Sequence, residues 1–543
     1  MNASAGSTYD YIIVGAGSAG CILANRLSES GRYSVLVIEA GGRDDSLRFK
    51  VPIGYVYTYY GQDCNWMYYS QPEPALAHRS VYCPRGKVQG GSGSINALIY
   101  IRGQRGDFRD WTANGNRGWS FEEVLPYYRK LESHPLGDTE YHSSSGAIRI
   151  TPMRDSAHPI CSAFLEACAG LGIPRNDDFN GASLEGAGIY DINTRGGLRD
   201  SSSRAYLVPA LRRPNLRVEH HGHVERVLFD GLRATGVSYR RNGAVRECYA
   251  TRELILAAGA VDTPKLLQLS GVADESLLRR HGIPVVLHSP AVGRNLQDHI
   301  CASYFYKANR RTLNDDYRSW LGKLKVGLQY LLTRGGPLSL SVNQAGGFLR
   351  APATAAEPNI QVYFNPLSYE IPKGRNATLL PEPYSGFLLA FSPCRPTSRG
   401  TIEIASRDPQ EAPLIKPNYL STQKDIDDVV QASLLTRKLM QAPAVQAVTV
   451  QEMKPGKRVS TEADMLQYFR EESGSIYHLC GTCAMGSSTT TAVVSDRLKV
   501  HGIDALRIVD ASIFPNVTSG NINAPTMMVA EKAAQMILED AAR

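Results

Sequence analysis

The 543-residue chain is poor in cysteine, has no long apolar run and carries no block of one charge sign. Its ten cysteines show no recurring spacing, which argues against a disulfide-stapled secreted scaffold and suits a reducing compartment. No window approaches the roughly 18 uninterrupted apolar residues that a membrane span requires. The 59 basic and 52 acidic residues leave a net charge of +7 spread along the chain. Nucleic-acid readers concentrate their cations, so no nucleic-acid partner is expected. The same mild excess is compatible with peripheral contact at the inner face of a membrane. The opening residues MNASAGSTYD contain neither a basic nor an apolar signal segment, and a cytoplasmic location is expected. At 43% hydrophobic and 20% charged, the composition is that of a globular protein able to bury its core without staples.

The first segment that carries chemistry is YDYIIVGAGSAGCILANRLSESGRYSVLVIEAGG. Ile12, Ile13 and Val14 predict a short buried strand, which runs into Gly15-x-Gly17-x-x-Gly20. Ile22, Leu23 and Leu27 recur at helical spacing, and residues 34–38 predict a second strand with Glu39 at its end. A glycine triplet alone is weak evidence. Strand, turn, helix, strand and terminal acid in this order form the context that dinucleotide binding demands. Gly15 permits the turn, Gly17 lets backbone approach a pyrophosphate, and Gly20 lets the helix lie close to the sheet. Ser18 and Ala19 open the helix whose N-terminus faces the phosphates, and Glu39 is placed to accept from ribose hydroxyls. The pattern does not choose between NAD and FAD.

A second glycine-rich stretch, PRGKVQGGSGSINALIYIRG (84–103), would on its own be as plausible a mobile loop as a ligand wall. Together with the N-terminal pattern it resembles the first signature of the glucose–methanol–choline (GMC) oxidoreductases. ELILAAGAVDTPKLLQLSGV (253–272) resembles the second, with Ala273 where that signature usually has glycine. VGRNLQDH, SRGTIEI, PNYL, LRIVDASIFP and GNINAPTMMVAEKAA follow in the family's order, nearly to the end of the chain. The nearest branch is the choline-dehydrogenase-like and aliphatic-alcohol-dehydrogenase-like one.

The resemblance implies an α/β fold, with a Rossmann-like FAD-binding domain and a substrate-binding domain built on an antiparallel or mixed sheet. It implies that 1–155, 200–300 and 480–543 form the FAD unit, and 156–199 with 301–479 the substrate unit. The residues themselves support part of this. IQVYFNPL and GTIEIAS read as strands, IDDVVQASLLTRKLMQ as a helix, and the proline-rich stretches 351–358 and 371–383 as surface loops. FAD ligands implied by the match, beyond the first glycine turn and Glu39, are Trp66, Arg85, Val88, Gly90, Gly91, Ser92, Asn96, Ala97 and Leu98. Val224, Ala258, Gly259, Asp510, Ala511, Asn521, Asn523, Pro525 and Thr526 complete the set. Some relatives tether FAD through a histidine just before the signature asparagine. Ile95 stands there, so non-covalent FAD is expected.

YHLCGTCAMG (477–486) contains a Cys-x-x-Cys pair, Cys480 and Cys483, that invites a redox or zinc reading. Neither a thioredoxin-like unit nor a second ligand pair accompanies it, and an accidental spacing is the expectation. His478 carries the family match instead. The resemblance makes it the catalytic base, with Asn521 orienting the substrate oxygen. Alcohol oxidation removes a proton from oxygen and a hydride from carbon, and a histidine suits the first task. His299 of NLQDH is expected to be structural. His220, His221 and His223 resemble a metal cluster, but neighbouring positions on one strand face opposite ways, and no metal is expected. Gln344 stands where choline-type relatives often carry an acid, which weakens a cationic substrate. Tyr363 and Phe364 are candidates for an apolar pocket wall.

The expected activity is FAD-dependent oxidation of a primary alcohol to an aldehyde by hydride transfer to flavin N5. The acceptor of the electrons is oxygen, a quinone or a soluble carrier. A hydroxynitrile-lyase-like activity on the same scaffold is the alternative, and a catalytically silent flavin protein a third reading.

Overall fold

A computed structural model describes residues 6–370 and 379–543. Residues 371–378 of the second proline-rich stretch, and the first five residues of the opening segment, lie outside the described residues. Residues 352–357 of the first stretch form turns at the surface.

Two seven-stranded sheets organise the chain. In the first, Ser7–Val14 lies between Val35–Glu39 and Ala244–Leu256 and runs parallel to both. Leu216–His220 adds to one side, and Leu506–Ile508 pairs in parallel with the end of Ala244–Leu256. Continuous apolar runs such as Val35–Ile38 are buried throughout, as strands covered on both faces require. The sequence signal at 254–257 marks only the buried end of a longer strand. Its first six residues, Ala244–Tyr249, pair antiparallel in a meander with Arg233–Arg241 and His223–Asp230.

The second sheet is antiparallel throughout its main path. Its order is Thr449–Lys454, Ile300–Ala308, Gly386–Pro393, Ile360–Asn365, Ala345–Leu349 and Gly186–Ile189. Alternation decides which side chains meet the interior cavity. Cys301, Ser303 and Phe305 line it, whereas Ala302, Tyr304 and Tyr306 join the hydrophobic core. Tyr363 likewise faces the cavity. Phe364 does not: it stacks on Phe164 and Phe387 in the core, so of the two aromatic candidates only Tyr363 is a wall residue. The helices Cys161–Gly170 and Gln423–Gln441 pack against this sheet. The latter helix begins three residues before the expected 426.

A buried charge network braces the region after the helix Phe121–Leu131. Glu132 pairs with Arg102 at 2.5 Å and with His142 Nδ1 at 2.7 Å, while His142 Nε2 meets Asp178 at 2.8 Å. His134 stacks on His142 with ring centroids 4.0 Å apart. Burial opposes a charge on His142, but the two carboxylates override it and raise its pKa to about 9. A raised histidine pKa contributes stability that is complete below the unfolded value near 6.5 and is lost as pH rises through about 9. His142→Asn should therefore destabilise the protein by on the order of 2 kcal/mol at pH 7. The gap to wild type in chemical denaturation should close by about pH 10; a gap unchanged with pH would refute the protonated bridge.

Candidate active site

A cavity of about 1790 Å³ runs from the carboxyl ends of the parallel strands to one face of the antiparallel sheet. Ligands of open parallel sheets sit beyond those strand ends. Val14, Glu39 and Ala257 bound it on the first sheet; Cys301, Ser303, Tyr363 and Asn365 bound it on the second.

At one end, the chain has no side chains to spare. A Cβ on Gly20 would lie 1.9 Å from the Gly15 carbonyl oxygen, and one on Gly91 2.8 Å from the Gly17 Cα. The two glycine-rich loops therefore touch backbone to backbone. The helix Ser18–Ser28 starts at Gly17 without a side-chain cap, which leaves first-turn N–H groups for an anion. The Ser18 hydroxyl donates to Asn523 Oδ1 at 2.7 Å, tying that turn to the start of the helix Asn523–Ala542.

Glu39, buried at the end of its strand, accepts from the Ala16 and Gly41 N–H groups, both at 2.8 Å. Burial pushes its pKa up to about 7 against the pull of those two bonds. Each carboxylate oxygen keeps a lone pair for a further donor. Asp510, also buried, accepts from the Gly259 N–H at 2.9 Å and the Thr263 hydroxyl at 2.6 Å. Arg199, which the sequence did not single out, donates to Asn96 Oδ1 at 2.6 Å and to the Gly93 carbonyl at 3.2 Å. An uncapped helix start, a carboxylate beside it and a long continuous cavity fit FAD, whose adenosine diphosphate portion the residues from Gly15 to Glu39 would hold.

At the other end stand His478 and Asn521. The turn before His478 places Tyr477 at φ +72°. Asp298 holds this turn. It accepts from the His478 N–H at 2.7 Å, the Ser475 hydroxyl at 2.5 Å and the Tyr419 hydroxyl at 2.6 Å. His299, expected to be structural, touches His478 directly: its Nδ1 lies 2.8 Å from His478 Nδ1. Its Nε2 lies 2.7 Å from the Cys394 carbonyl oxygen.

A carbonyl only accepts, so His299 Nε2 carries the hydrogen. Burial lowers the His299 pKa to about 4, which keeps the ring neutral and its Nδ1 a lone pair. His478 Nδ1–H must then donate to it. Burial, helped by neighbouring His299 and Arg85, holds the His478 pKa well below the usual value, so that ring is neutral too. Its Nε2 is therefore an acceptor, and Asn521 Nδ2 donates to it at 3.3 Å. The Asn521 amide is turned this way because its Oδ1 accepts from Gln361 Nε2 at 3.2 Å. One nitrogen that accepts and one that donates meet at the cavity wall, the arrangement needed to take a proton from a hydroxyl and hold its oxygen.

A GMC oxidoreductase family model covers residues 9–301 and a second covers 396–530. The chain belongs to the GMC oxidoreductase family. It is an FAD-dependent alcohol oxidoreductase. It is 41% identical to human mitochondrial choline dehydrogenase, over 98% of this chain and 91% of that one. It is 38% identical to an oxygen-dependent choline dehydrogenase of Vibrio vulnificus (98% and 94% covered). It is 39% identical to an alcohol dehydrogenase [acceptor] of Pseudomonas putida (98% and 96%). Among solved structures, pyridoxine 4-oxidase from Mesorbium loti superposes with a TM-score of 0.87 at 30% identity, covering 97% of this chain and 98% of that one.

The GMC signatures converge on the one cavity. Gly15, Gly17, Ser18, Ala19, Glu39, Trp66, Arg85, Gly91, Ser92, Asn96, Ala97 and Leu98 line it. So do Val224, Ala258, Gly259, Asp510, Ala511, Asn521, Asn523, Thr526 and His478. Four expected ligands stand behind the wall instead. Gly20 packs on Gly15, Val88 packs with Phe49, Cys64 and Ile95, and Gly90 sits against Ser94 and Ser203. Pro525 is buried within the first turn of its helix. Gln344 also faces away: its Oε1 accepts from the His158 N–H at 2.7 Å, so an amide there says nothing about a cationic substrate.

The three clustered histidines diverge. They occupy two strands and a turn rather than one strand, with His221 at φ +58°. His220 bonds Gln89, and His223 bonds Gln410. Cys480 and Cys483 are buried free thiols, and burial raises the pKa of both.

Gly91→Ala should force the two glycine loops apart and empty the cofactor site. The purified variant is expected to show a flavin-to-protein absorbance ratio at least about tenfold below wild type, with its far-UV circular dichroism retained. Full flavin occupancy would show that the loops do not hold it.

Proposed function

We propose that this protein oxidises a primary alcohol to an aldehyde, with His478 as general base and Asn521 as the donor that holds the alcohol oxygen. The observation that carries this reading is the directed hydrogen-bond chain from the Cys394 carbonyl through His299. It leaves His478 Nε2 an acceptor at the cavity wall, where Asn521 Nδ2 donates to it until an alcohol hydroxyl takes that place. FAD, when bound, supplies the acceptor for the hydride. His478 takes the hydroxyl proton at Nε2 while Nδ1–H stays bonded to His299. Asn521 donates to the oxygen as its negative charge develops, and burial excludes the water that would compete for it.

The wall beside the pair is aromatic, with Tyr59, Tyr363, Tyr369 and Tyr477, and suits an alkyl or ammonium-bearing chain. The relatives that act on choline, or on alcohols with a separate acceptor, are consistent with that range. The same reading assigns 1–155, 200–300 and 480–543 to FAD, and 156–199 with 301–479 to the substrate. The pairing of Gly186–Ile189 with Ala345–Leu349 supports the latter grouping.

Anaerobic stopped-flow mixing with primary alcohols, choline among them, should bleach the flavin in the wild type. In His478→Ala the rate should fall about a hundred- to ten-thousand-fold. Turnover of a cyanohydrin with the flavin still yellow would instead establish a lyase. Because the His478 pKa is lowered, its base form persists as pH falls. The wild-type reduction rate should stay flat from pH 8 to below 6.5, and a fall centred on the ordinary histidine value near 6.5 would overturn the assignment.

We also infer that FAD is held without a covalent bond. The side chain at the tethering position, Ile95, is buried against Phe49, Cys64 and Val88 and offers no nucleophile. Acid precipitation should leave all the yellow colour in the supernatant. Flavin retained in the pellet would contradict this.

A further inference from the structure

The helix Trp320–Thr333 presents its apolar side outward. Trp320 is 71% exposed, Leu331 67% and Leu332 82%, and Leu321, Leu324 and Leu328 are also exposed. At about 100° per residue these six positions fall within roughly a third of the helix circumference. The opposite side, with Gly322, Val326 and Tyr330, is the one buried against the protein. Scattered exposed leucines need no explanation, but a continuous stripe on one helix does.

Charge indicates what covers it. The helix has Lys323 and Lys325, both exposed, and no acidic residue. Arg310, Arg311, Arg318 and Arg334 flank it, against only Asp315 and Asp316 in the same stretch. Asp316 is paired with Arg311, and Asp315 accepts from the Ser385 hydroxyl. An apolar stripe bordered by cations is the pattern of a helix lying in the plane of an anionic bilayer interface. No helix among the described residues is long and apolar enough to cross a membrane, so the contact is with one leaflet. The cavity lining reaches exposed residues at this place. Lys323 and Val326 of the helix line it, together with Tyr317, Leu338 and the exposed Leu380.

We propose that Trp320–Thr333 docks the protein on an anionic membrane surface, seating the cavity mouth at the interface so that lipid-soluble ligands enter from the bilayer. The apolar stripe supplies the insertion and the lysine and arginine border supplies the attraction to acidic headgroups. The placement does not depend on which residue is the base.

The test uses flavin-loaded full-length protein and sedimentation with two vesicle types, phosphatidylcholine alone and phosphatidylcholine with phosphatidylglycerol. Wild type should bind the anionic vesicles preferentially and less tightly at high salt. The triple variant Leu328→Ser, Leu331→Ser, Leu332→Ser should bind roughly a hundredfold more weakly. None of these three lines the cavity, so reduction of its flavin by a water-soluble alcohol should match wild type. That equality separates a lost docking surface from lost folding. Three results would overturn the proposal: no vesicle binding by wild type, equal binding by the variant, or a dimer that dissociates in the variant without vesicle binding. The last would make the stripe a contact between two copies of this chain.

Discussion

A backbone carbonyl accepts hydrogen bonds and never donates them, and at Cys394 this one-way rule sets the state of the site. It fixes which nitrogen of His299 carries hydrogen, that ring fixes the tautomer of His478, and His478 is left with an acceptor at Nε2 on the cavity wall. No charge is needed to keep the order. Two neutral imidazoles in contact, both buried, cost less than two imidazolium ions would, so burial and tautomer reinforce one another. The second sheet is part of the same device. Cys394 follows the strand Gly386–Pro393 and His299 precedes the strand Ile300–Ala308, two strands paired in register, so the acceptor and the first ring are as rigid as the sheet.

The two ends of the cavity solve different problems with different materials. The end at the glycine turns uses absence. Glycines let backbone meet backbone, and an uncapped helix offers N–H groups. The end at His478 uses redundancy. Asp298 holds three donors, Tyr419 from one segment and Ser475 and His478 from the turn itself, which over-determines that turn. Strained backbone persists only under such over-determination, and the positive φ of Tyr477 lies within this turn.

What the sequence made legible follows the range of the interactions. The turn from Gly15 to Gly20 and the acid at Glu39 are local, and physical reasoning reached them without help from any relative. His478 and Asn521 were reached only through resemblance, because a histidine beside a leucine carries no signal of its own. His299 was in a quoted motif and still read as structural. Its partner lies 179 residues away, and nothing in NLQDH announces it. Gly20, Val88, Gly90 and Pro525 stand off the cavity wall for another reason. They lie in the right loops, but a loop has an inner and an outer face, and a motif does not say which residue takes which. The stripe on Trp320–Thr333 shows the same limit, since periodicity reveals that a helix has two sides without saying which one the protein keeps.

The Ser18 hydroxyl and Asn523 Oδ1 are 505 residues apart, and close by Arg26 forks onto Glu531 through Nε at 3.0 Å and Nη2 at 2.7 Å. The first helix and the last thus clasp one another beside the same cavity. The glycine turn shares its wall with residues 505 positions further along the chain. A chain cut before residue 523 would keep the dinucleotide motif but lack the helix that walls its site.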